Sequence, residues 1–113
     1  MFERPSGGER ALLLHVRVGP PPHREDEGEF QSLALAAGAE IAGEMRAQLR
    51  TLNPRFLIGS GKLDELKASV SAVDADLVLV DHPLSPAQER NLERALERRV
   101  VDRTGLILDI FAL

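Results

Sequence analysis

Cysteine, tryptophan and tyrosine are absent from this chain of 113 residues, and four phenylalanines are its only large aromatic side chains. The lack of cysteine excludes disulfides, thiolate catalysis and cysteine-ligated zinc. Scarce aromatic residues argue against the base-stacking platforms that bind single-stranded nucleic acid. No apolar run approaches the roughly 20 residues that a membrane-spanning helix needs, and the N-terminus lacks the apolar core of a secretory signal. These absences predict a cytoplasmic protein with no membrane partner.

The composition that remains is typical of one folded domain. Hydrophobic residues make up 43% of the chain and charged residues 28%, and the net charge is −4. That acidic balance argues against a domain that wraps nucleic acid without specificity, although it permits a local basic face. We expect a flexible N-terminus over residues 1–10 and a single small domain over 11–113.

The spacing of apolar residues predicts an α/β domain. The sequence predicts strands over residues 11–18, 40–50, 77–80 and 100–101 and helices over 30–37, 59–73, 85–98 and 105–113. Residues 40–50 alternate, with Ile41, Met45 and Leu49 expected on one buried face. The extended segment 55–58 is either a hairpin partner or a lead-in to the next helix. Because strands and helices alternate, we expect about four mostly parallel strands with flanking helices.

A glycine-rich turn opens the helix predicted after residue 58. It consists of Gly59, Ser60, Gly61 and Lys62. Glycines before a helix N-terminus and a lysine are typical of phosphate-binding loops. However, Phe56 replaces the first glycine of a complete P-loop, and Leu63 replaces its Ser or Thr. Because Asp64 and Glu65 are also expected to crowd the first helical turn and repel anions, a structural turn and a weak nucleotide- or RNA-phosphate contact both stay open.

The helix predicted over 85–98 combines a strong start with a row of arginines. Ser85, Pro86 and Gln88 predict a capping box with proline at the first helical position. The row consists of Arg90, Arg94 and Arg98. Residues four apart share one helix face, so the row is either a solvated face balanced by Glu93 and Glu97 or a patch that contacts phosphates.

No group of residues predicts catalysis or metal binding. His15 lies inside a predicted strand with no second ligand at a matching spacing. His23 adjoins a run of acidic residues at 25–27, but one histidine and flexible acids define no geometry. Asp81 ends an apolar strand, yet the first strand ends in Val18 without the acids of a magnesium pocket. We therefore predict no catalytic residues and no metal site.

The last predicted helix is almost entirely apolar, since Asp109 is its only charged residue. Such a helix must be covered on most sides, so we expect residues 104–113, with Thr104 as the cap, to start a helical segment that continues further. Left uncovered, Ile107, Ile110 and Phe111 predict self-association.

Three blocks of sequence together resemble one protein family. They are FLIGSGKLDEL at 56–66, VDHPLSPAQERNLE at 80–93 and VVDRTGLILDIFA at 100–112. Their order and spacing are similar to those of the N-terminal domain of HflX, a family of bacterial ribosome-associated GTPases. The resemblance covers most of residues 55–112, whereas residues 1–54 match only loosely in pattern.

The resemblance implies properties that composition does not predict. HflX-like proteins continue from this α/β domain into a long helical segment and a GTPase (GTP hydrolase) domain, which binds GTP and Mg²⁺. The family binds the 50S subunit with its 23S rRNA and the 70S ribosome, and splits stalled 70S particles under heat stress. Its N-terminal region is also linked to ATP binding and RNA unwinding. This chain has no GTP-binding motif of its own.

Three hypotheses follow for the chain. The leading one is a ribosome- and rRNA-contacting module, with the 59–62 turn and the arginine row facing RNA. The second is a small nucleotide-binding domain that holds ATP at the 59–62 turn. The third is a regulatory module that packs on the GTPase domain of its own protein.

Overall fold

The computed structural model of the chain describes residues 9–20 and 27–111. The elements in chain order are β1 (Glu9–Val18), α1 (Glu27–Ala36), β2 (Ala39–Leu49), α2 (Ser60–Ala72), β3 (Leu77–Asp81), α3 (Pro86–Leu96), β4 (Arg99–Asp102) and α4 (Arg103–Phe111). The four strands form one parallel sheet in the order β2-β1-β3-β4. The predicted α/β class is therefore confirmed. Across the described residues, no helix is both long and apolar enough to span a bilayer.

The sheet separates two layers of helices. One core contains Leu66 of α2 and Leu92 of α3 against Leu12 of β1. The other contains Phe30 of α1 and Leu106 of α4, against alternate residues of the same central strands. Connections that lead in opposite directions along the sheet thus use opposite layers, as right-handed crossovers require. The two central strands, β1 and β3, are buried on both faces. Each fully buried leucine in these strands stabilises the fold by about 2 kcal/mol.

A β-bulge at Ala42 changes the register of β2. Ile41 lies on the N-terminal side of the bulge, whereas Leu12, the next residue of β1, pairs with Gly43, so Ala42 is an extra residue. Gly43 suits this place because a Cβ there would lie 3.0 Å from Leu12 Cδ1 and 3.3 Å from Val73 Cγ1. The glycine lets β2 approach β1 and α2 closely.

The bulge makes the predicted face assignment of residues 40–50 wrong. Ile41 packs with the α1 and α4 layer, whereas Met45 and Leu49 pack with the α2 and α3 layer. An extra residue in a strand of period two reverses the side on which all later side chains lie. The same reversal turns Glu44 toward α1.

The first strand begins earlier than predicted. β1 starts at Glu9, so the last two residues of the predicted flexible N-terminus belong to the sheet. The Arg10 backbone N–H donates to Asp76 Oδ2 at 2.9 Å, and its Nη2 donates to the Val73 carbonyl at 2.8 Å. These bonds satisfy the polar groups of Arg10, although the polarity of the sequence around it predicted a flexible N-terminus. Residues 1–8 and the predicted loop around His23 lie outside the described residues.

The capping box predicted for α3 is confirmed. Ser85 Oγ accepts from the Gln88 N–H at 3.1 Å, and Gln88 Oε1 accepts from the Ser85 N–H at 2.9 Å. Gln88 Nε2 also donates to the Asn53 carbonyl at 2.8 Å. Asn53 forms an isolated antiparallel bridge with Leu57, so the segment 55–58 is a turn that leads into α2. α3 itself fixes this turn.

The boundaries around β4 differ from the prediction. α3 ends at Leu96, because Glu97 takes the left-handed conformation with φ 54°. Asp102 Oδ1 accepts from the Gly105 N–H at 2.8 Å. This is the N-cap geometry, so Asp102 rather than Thr104 caps α4. α4 runs to residue 111, and the side chains of Ile110 and Phe111, which were predicted to mediate self-association, lie outside the described part of the chain.

Candidate functional site

The carboxyl ends of the parallel strands define the edge of the sheet where sites in such folds occur. Each helix follows a strand, so the N-termini of all four helices lie along this edge. β1 and β3 are neighbours whose connections diverge, which places the topological switch point between them. The 59–62 turn, at the start of α2, lies at this edge. The arginine row begins there and runs along α3 toward the opposite edge.

The 59–62 turn is open and exposed. Gly59 is the N-cap of α2, and no side chain of the described residues caps that helix. Among the same residues, a Cβ at Gly59 or Gly61 would meet nothing within 4 Å, so their packing does not require glycine there. Lys62 Nζ lies 3.1 Å from Glu65 Oε2. The first turn of α2 holds no acidic residue, so the expected crowding by Asp64 and Glu65 is wrong by one turn.

The arginine row splits into two parts. Arg90 and Arg94 are exposed on the outer face of α3, and within the described chain neither makes a hydrogen bond or ion pair. Arg98 instead donates from Nε to the Ala75 carbonyl at 2.7 Å and from Nη1 to the Glu97 carbonyl at 2.9 Å. Arg98 therefore anchors the end of α3, and two cations one turn apart face outward.

Acidic residues of α3 lie on its other side. Glu93 Oε2 accepts from the Val100 N–H at 3.0 Å, so Glu93 binds β4 rather than Arg90. Burial raises the pKa of Glu89, and repulsion by Glu93 and Asp102 raises it further. One of the two alternatives for the arginine row was a solvated face in which Glu93 balances Arg90, but the Glu93 carboxylate bonds the backbone of β4 instead. Positive and negative charges on α3 are segregated.

A polar cluster that the sequence did not predict joins β1, β2 and α1. His15 is 2% exposed, and its Nε2 lies 2.7 Å from Glu44 Oε1. Gln31 Nε2 donates to the same oxygen at 2.8 Å. Phe30 contacts the imidazole edge to face, with ring centroids 5.9 Å apart. Glu27, at the start of α1, completes the cluster. One oxygen of its carboxylate, one imidazole nitrogen of His15 and one carboxylate oxygen of Glu44 lie within 4.8 Å of one another.

Arginines surround one member of this cluster. Arg46 Nε donates to Glu27 Oε2 at 2.8 Å, and Arg17 Nη2 donates to the same oxygen at 2.7 Å. The Arg46 hydrogen bond lowers the pKa of Glu27, with the charges of His15, Arg46 and Arg17 acting in the same direction. The Gln31 hydrogen bond, followed by that of His15, lowers the pKa of Glu44. Both carboxylates are therefore held ionised.

The sequence carried one signal for this cluster. Gly43 is an isolated glycine inside a strand, which indicates a bulge or a close backbone approach. Without the bulge, the alternation of β2 gives no reason to place Glu44 beside His15. Linear spacing cannot supply that pairing, because the register of β1 and β2 is a tertiary property.

Asp81 lies at the switch point, as the end of β3. Its Oδ1 is 3.4 Å from Arg103 Nη1, and Arg103 Nη2 is 3.2 Å from Glu29 Oε1. This ion-pair chain links β3 to α4 and α1. In the described structure Asp81 thus links the sheet to the layer formed by α1 and α4.

Comparison with known sequences finds one family and several relatives. The sequence model of the family described as "GTP-binding GTPase N-terminal" matches residues 24–112. The GTPase HflX of Escherichia coli strain K12 is 48% identical over 112 residues, which are 99% of this chain and 26% of that protein. The GTPase HflX of Caldanaerobacter subterraneus subsp. tengcongensis is 45% identical over 104 residues, 92% of this chain and 24% of that protein. The chain therefore spans about a quarter of the length of these curated relatives.

Comparison with solved structures finds the same fold. A GTP-binding protein from the archaeon Sulfolobus solfataricus, solved in complex with GDP, has a TM-score of 0.69 and 25% identity. The match covers 92% of this chain and 30% of that one. A variant of a protein called SsGBP has a TM-score of 0.71 at 24% identity, over 90% of this chain and 32% of that one. At that identity the second likeness concerns the fold alone.

Proposed function

The chain belongs to the family of GTP-binding GTPase N-terminal domains, and we propose that it is the ribosome-contacting module of an HflX-type GTPase in the cytoplasm. In this proposal it contacts the 23S rRNA of the 50S subunit. GTP and Mg²⁺ bind in a separate GTPase domain, and the whole protein splits or rescues stalled 70S ribosomes. Because the chain spans about a quarter of its curated relatives, hydrolysis and splitting are proposed for the full-length protein.

The observation that carries the proposal is the pair of exposed arginines on α3. Arg90 and Arg94 have no partner in the described chain, although the net charge of −4 supplies an excess of carboxylates. Arginine is well suited to phosphate because its planar guanidinium donates two parallel hydrogen bonds. Two such groups one helical turn apart match a nucleic-acid backbone better than a small ligand.

Rigidity supports the same proposal. α3 begins with a complete capping box and ends where Arg98 binds the Ala75 carbonyl. Leu92 and Leu96 bury its inner face. A helix fixed at both ends presents its outer cations without a large ordering cost on binding. The helix is therefore a contact surface on a rigid scaffold rather than an active site.

The test is 50S binding by the full-length protein with single charge reversals. Arg90→Glu and Arg94→Glu are compared with Lys67→Glu, an exposed cation on α2 that undergoes the same change of two charge units. We expect each α3 variant to lose roughly ten-fold in affinity and the α2 variant to lose less. Arg90→Lys and Arg94→Lys keep the charge and should lose less than the reversals.

The outcomes separate the hypotheses. Equal losses for the α2 and α3 variants would point to a general charge effect and remove α3 as the contact. Unchanged 50S binding together with altered GTP turnover would favour the regulatory module that packs on its own GTPase domain. Circular dichroism of each variant checks that a loss does not arise from unfolding.

Nucleotide binding at the 59–62 turn is the second candidate function. It is favoured by a helix N-terminus that no side chain caps and by open space beside Gly59 and Gly61. Free backbone N–H groups at such an end attract phosphate. Calorimetry of ATP with the chain and with Lys62→Ala tests it. Heat that the variant lacks supports an ATP site, and no heat at millimolar ATP eliminates one.

A further inference from the structure

We propose that His15, Glu27 and Glu44 form a binding site for a divalent transition-metal ion of the zinc type. One imidazole nitrogen and one oxygen from each carboxylate lie within 4.8 Å of one another. One imidazole and two carboxylates supply the mixed nitrogen and oxygen ligands that zinc accepts.

The distance between His15 and Glu44 requires only a small adjustment. Ligand atoms about 2.0 to 2.2 Å from a tetrahedral zinc lie roughly 3.3 Å from each other. His15 Nε2 and Glu44 Oε1 are closer than that, at 2.7 Å, because they share a hydrogen bond. Zinc would replace the shared proton and move the two atoms slightly apart, while the Glu27 carboxylate moves inward. Both glutamates are partly exposed, with 18% and 25% of their side chains accessible, so they can rearrange.

Several features orient the ligands toward one point. The bulge at Ala42 puts Glu44 on the same side of the sheet as His15. Phe30 packs edge to face on the imidazole and fixes its plane. Gln31 Nε2 donates to Glu44 Oε1, which is the kind of outer hydrogen bond that orients metal ligands. The cluster also lies toward the carboxyl ends of β1 and β2, on the α1 side of the sheet.

Two features limit the affinity. Arg46 and Arg17 bind the Glu27 carboxylate, so an ion must compete with them; the Arg46 side chain is 51% exposed and can turn away. Within the described residues, His15 Nδ1 has no hydrogen-bond partner, whereas most metal-bound histidines donate from that second nitrogen. We therefore expect a dissociation constant of about a micromolar, weaker than that of a structural zinc site.

The test is calorimetry of Zn²⁺ with the untagged chain after chelation and dialysis, with Co²⁺ absorption as a second readout. We expect one ion per chain and a ligand-field spectrum typical of mixed nitrogen and oxygen ligands. Glu44→Gln and His15→Asn should each weaken binding at least ten-fold. The matched controls are His82→Asn and Glu40→Gln. His82 bonds the Pro83 carbonyl, and Glu40 is an exposed acid on β2, the strand that also holds Glu44. Both controls should bind as the unaltered chain does.

A gain of affinity guards against misfolded variants. Arg46→Gln removes one of the two competing cations and should tighten zinc binding roughly three-fold, which neither unfolding nor an unrelated surface site produces. The proposal is overturned if the unaltered chain binds no zinc at tens of micromolar. It is equally overturned if zinc binding survives both Glu44→Gln and His15→Asn in folded protein, or is lost in the His82 control. None of these outcomes bears on ribosome binding by α3.

Discussion

The carboxylate of Asp102 is expected to hold two elements at once, and its removal gives a sharp test of the fold. Its Oδ1 accepts from the Gly105 N–H and caps α4, while its Oδ2 accepts from the Leu84 N–H at 2.8 Å, just before α3. Thr104 contributes neither bond, although its residue type alone predicted the cap. Asp102→Ala and Thr104→Ala should therefore behave very differently.

The magnitude follows from the two bonds. Loss of an N-cap side chain costs about 1 kcal/mol, and loss of a hydrogen bond to a charged group costs about 1.5 kcal/mol. Asp102→Ala should thus lower the free energy of unfolding by about 2.5 kcal/mol, since the two donors lie on separate elements. Thr104 is exposed, and its replacement by alanine should change stability by less than about 0.5 kcal/mol.

Urea unfolding of both variants, followed by circular dichroism, measures these differences. The midpoint of thermal unfolding should fall by about 10 °C for Asp102→Ala and stay within a few degrees for Thr104→Ala. Asp102→Asn, which keeps one acceptor oxygen and turns an amide against the other donor, should fall between them. If Thr104→Ala costs as much as Asp102→Ala, Asp102 is not the residue that caps α4.

Three further predictions concern acidity and association. Hydrogen bonds and nearby charges lower the pKa of Glu27 and of Glu44 from the ordinary 4.5. The stabilisation by these carboxylates is therefore complete above that value and is lost as pH falls through the lower folded pKa. In Glu27→Gln, the free energy of unfolding measured in urea should consequently fall less steeply in acid. The pKa of Glu89 is raised from 4.5, so its ionised form destabilises the fold above that pH, and Glu89→Gln should stabilise the chain at neutral pH but not in acid. Leu35 and Leu108 are 59% and 63% exposed on neighbouring helices, so the chain should self-associate in sedimentation at millimolar concentration. A monomer there, or association that persists in Leu108→Glu, would contradict this last prediction.

Local patterns in the sequence predicted most of the fold. The apolar run at 77–80 predicted a strand, and that strand, β3, lies in the centre of the sheet. The series Ser85, Pro86 and Gln88 predicted the start of α3 because a capping box is made by residues three apart. Such signals depend on neighbours in the chain, which the sequence displays directly.

Features that depend on contacts between distant elements escaped prediction. Arg98 looked like the third member of an outward row, but the end of α3 at Glu97 brings its guanidinium to the Ala75 carbonyl. The side of the sheet that Glu44 faces depends on the bulge at Ala42, which only the pairing with β1 reveals. His15 therefore looked isolated in sequence, although β2 and α1 bring polar groups to it.

The salt dependence of 50S binding tests the central claim most directly. If Arg90 and Arg94 contact rRNA phosphates, the slope of log affinity against log salt concentration should fall by roughly 0.7 for each one replaced by glutamine in the full-length protein. The double variant should therefore lose about 1.4 units of slope, while Lys67→Gln leaves it unchanged. A double variant whose slope equals that of the unaltered protein would contradict the proposal that α3 contacts the ribosome.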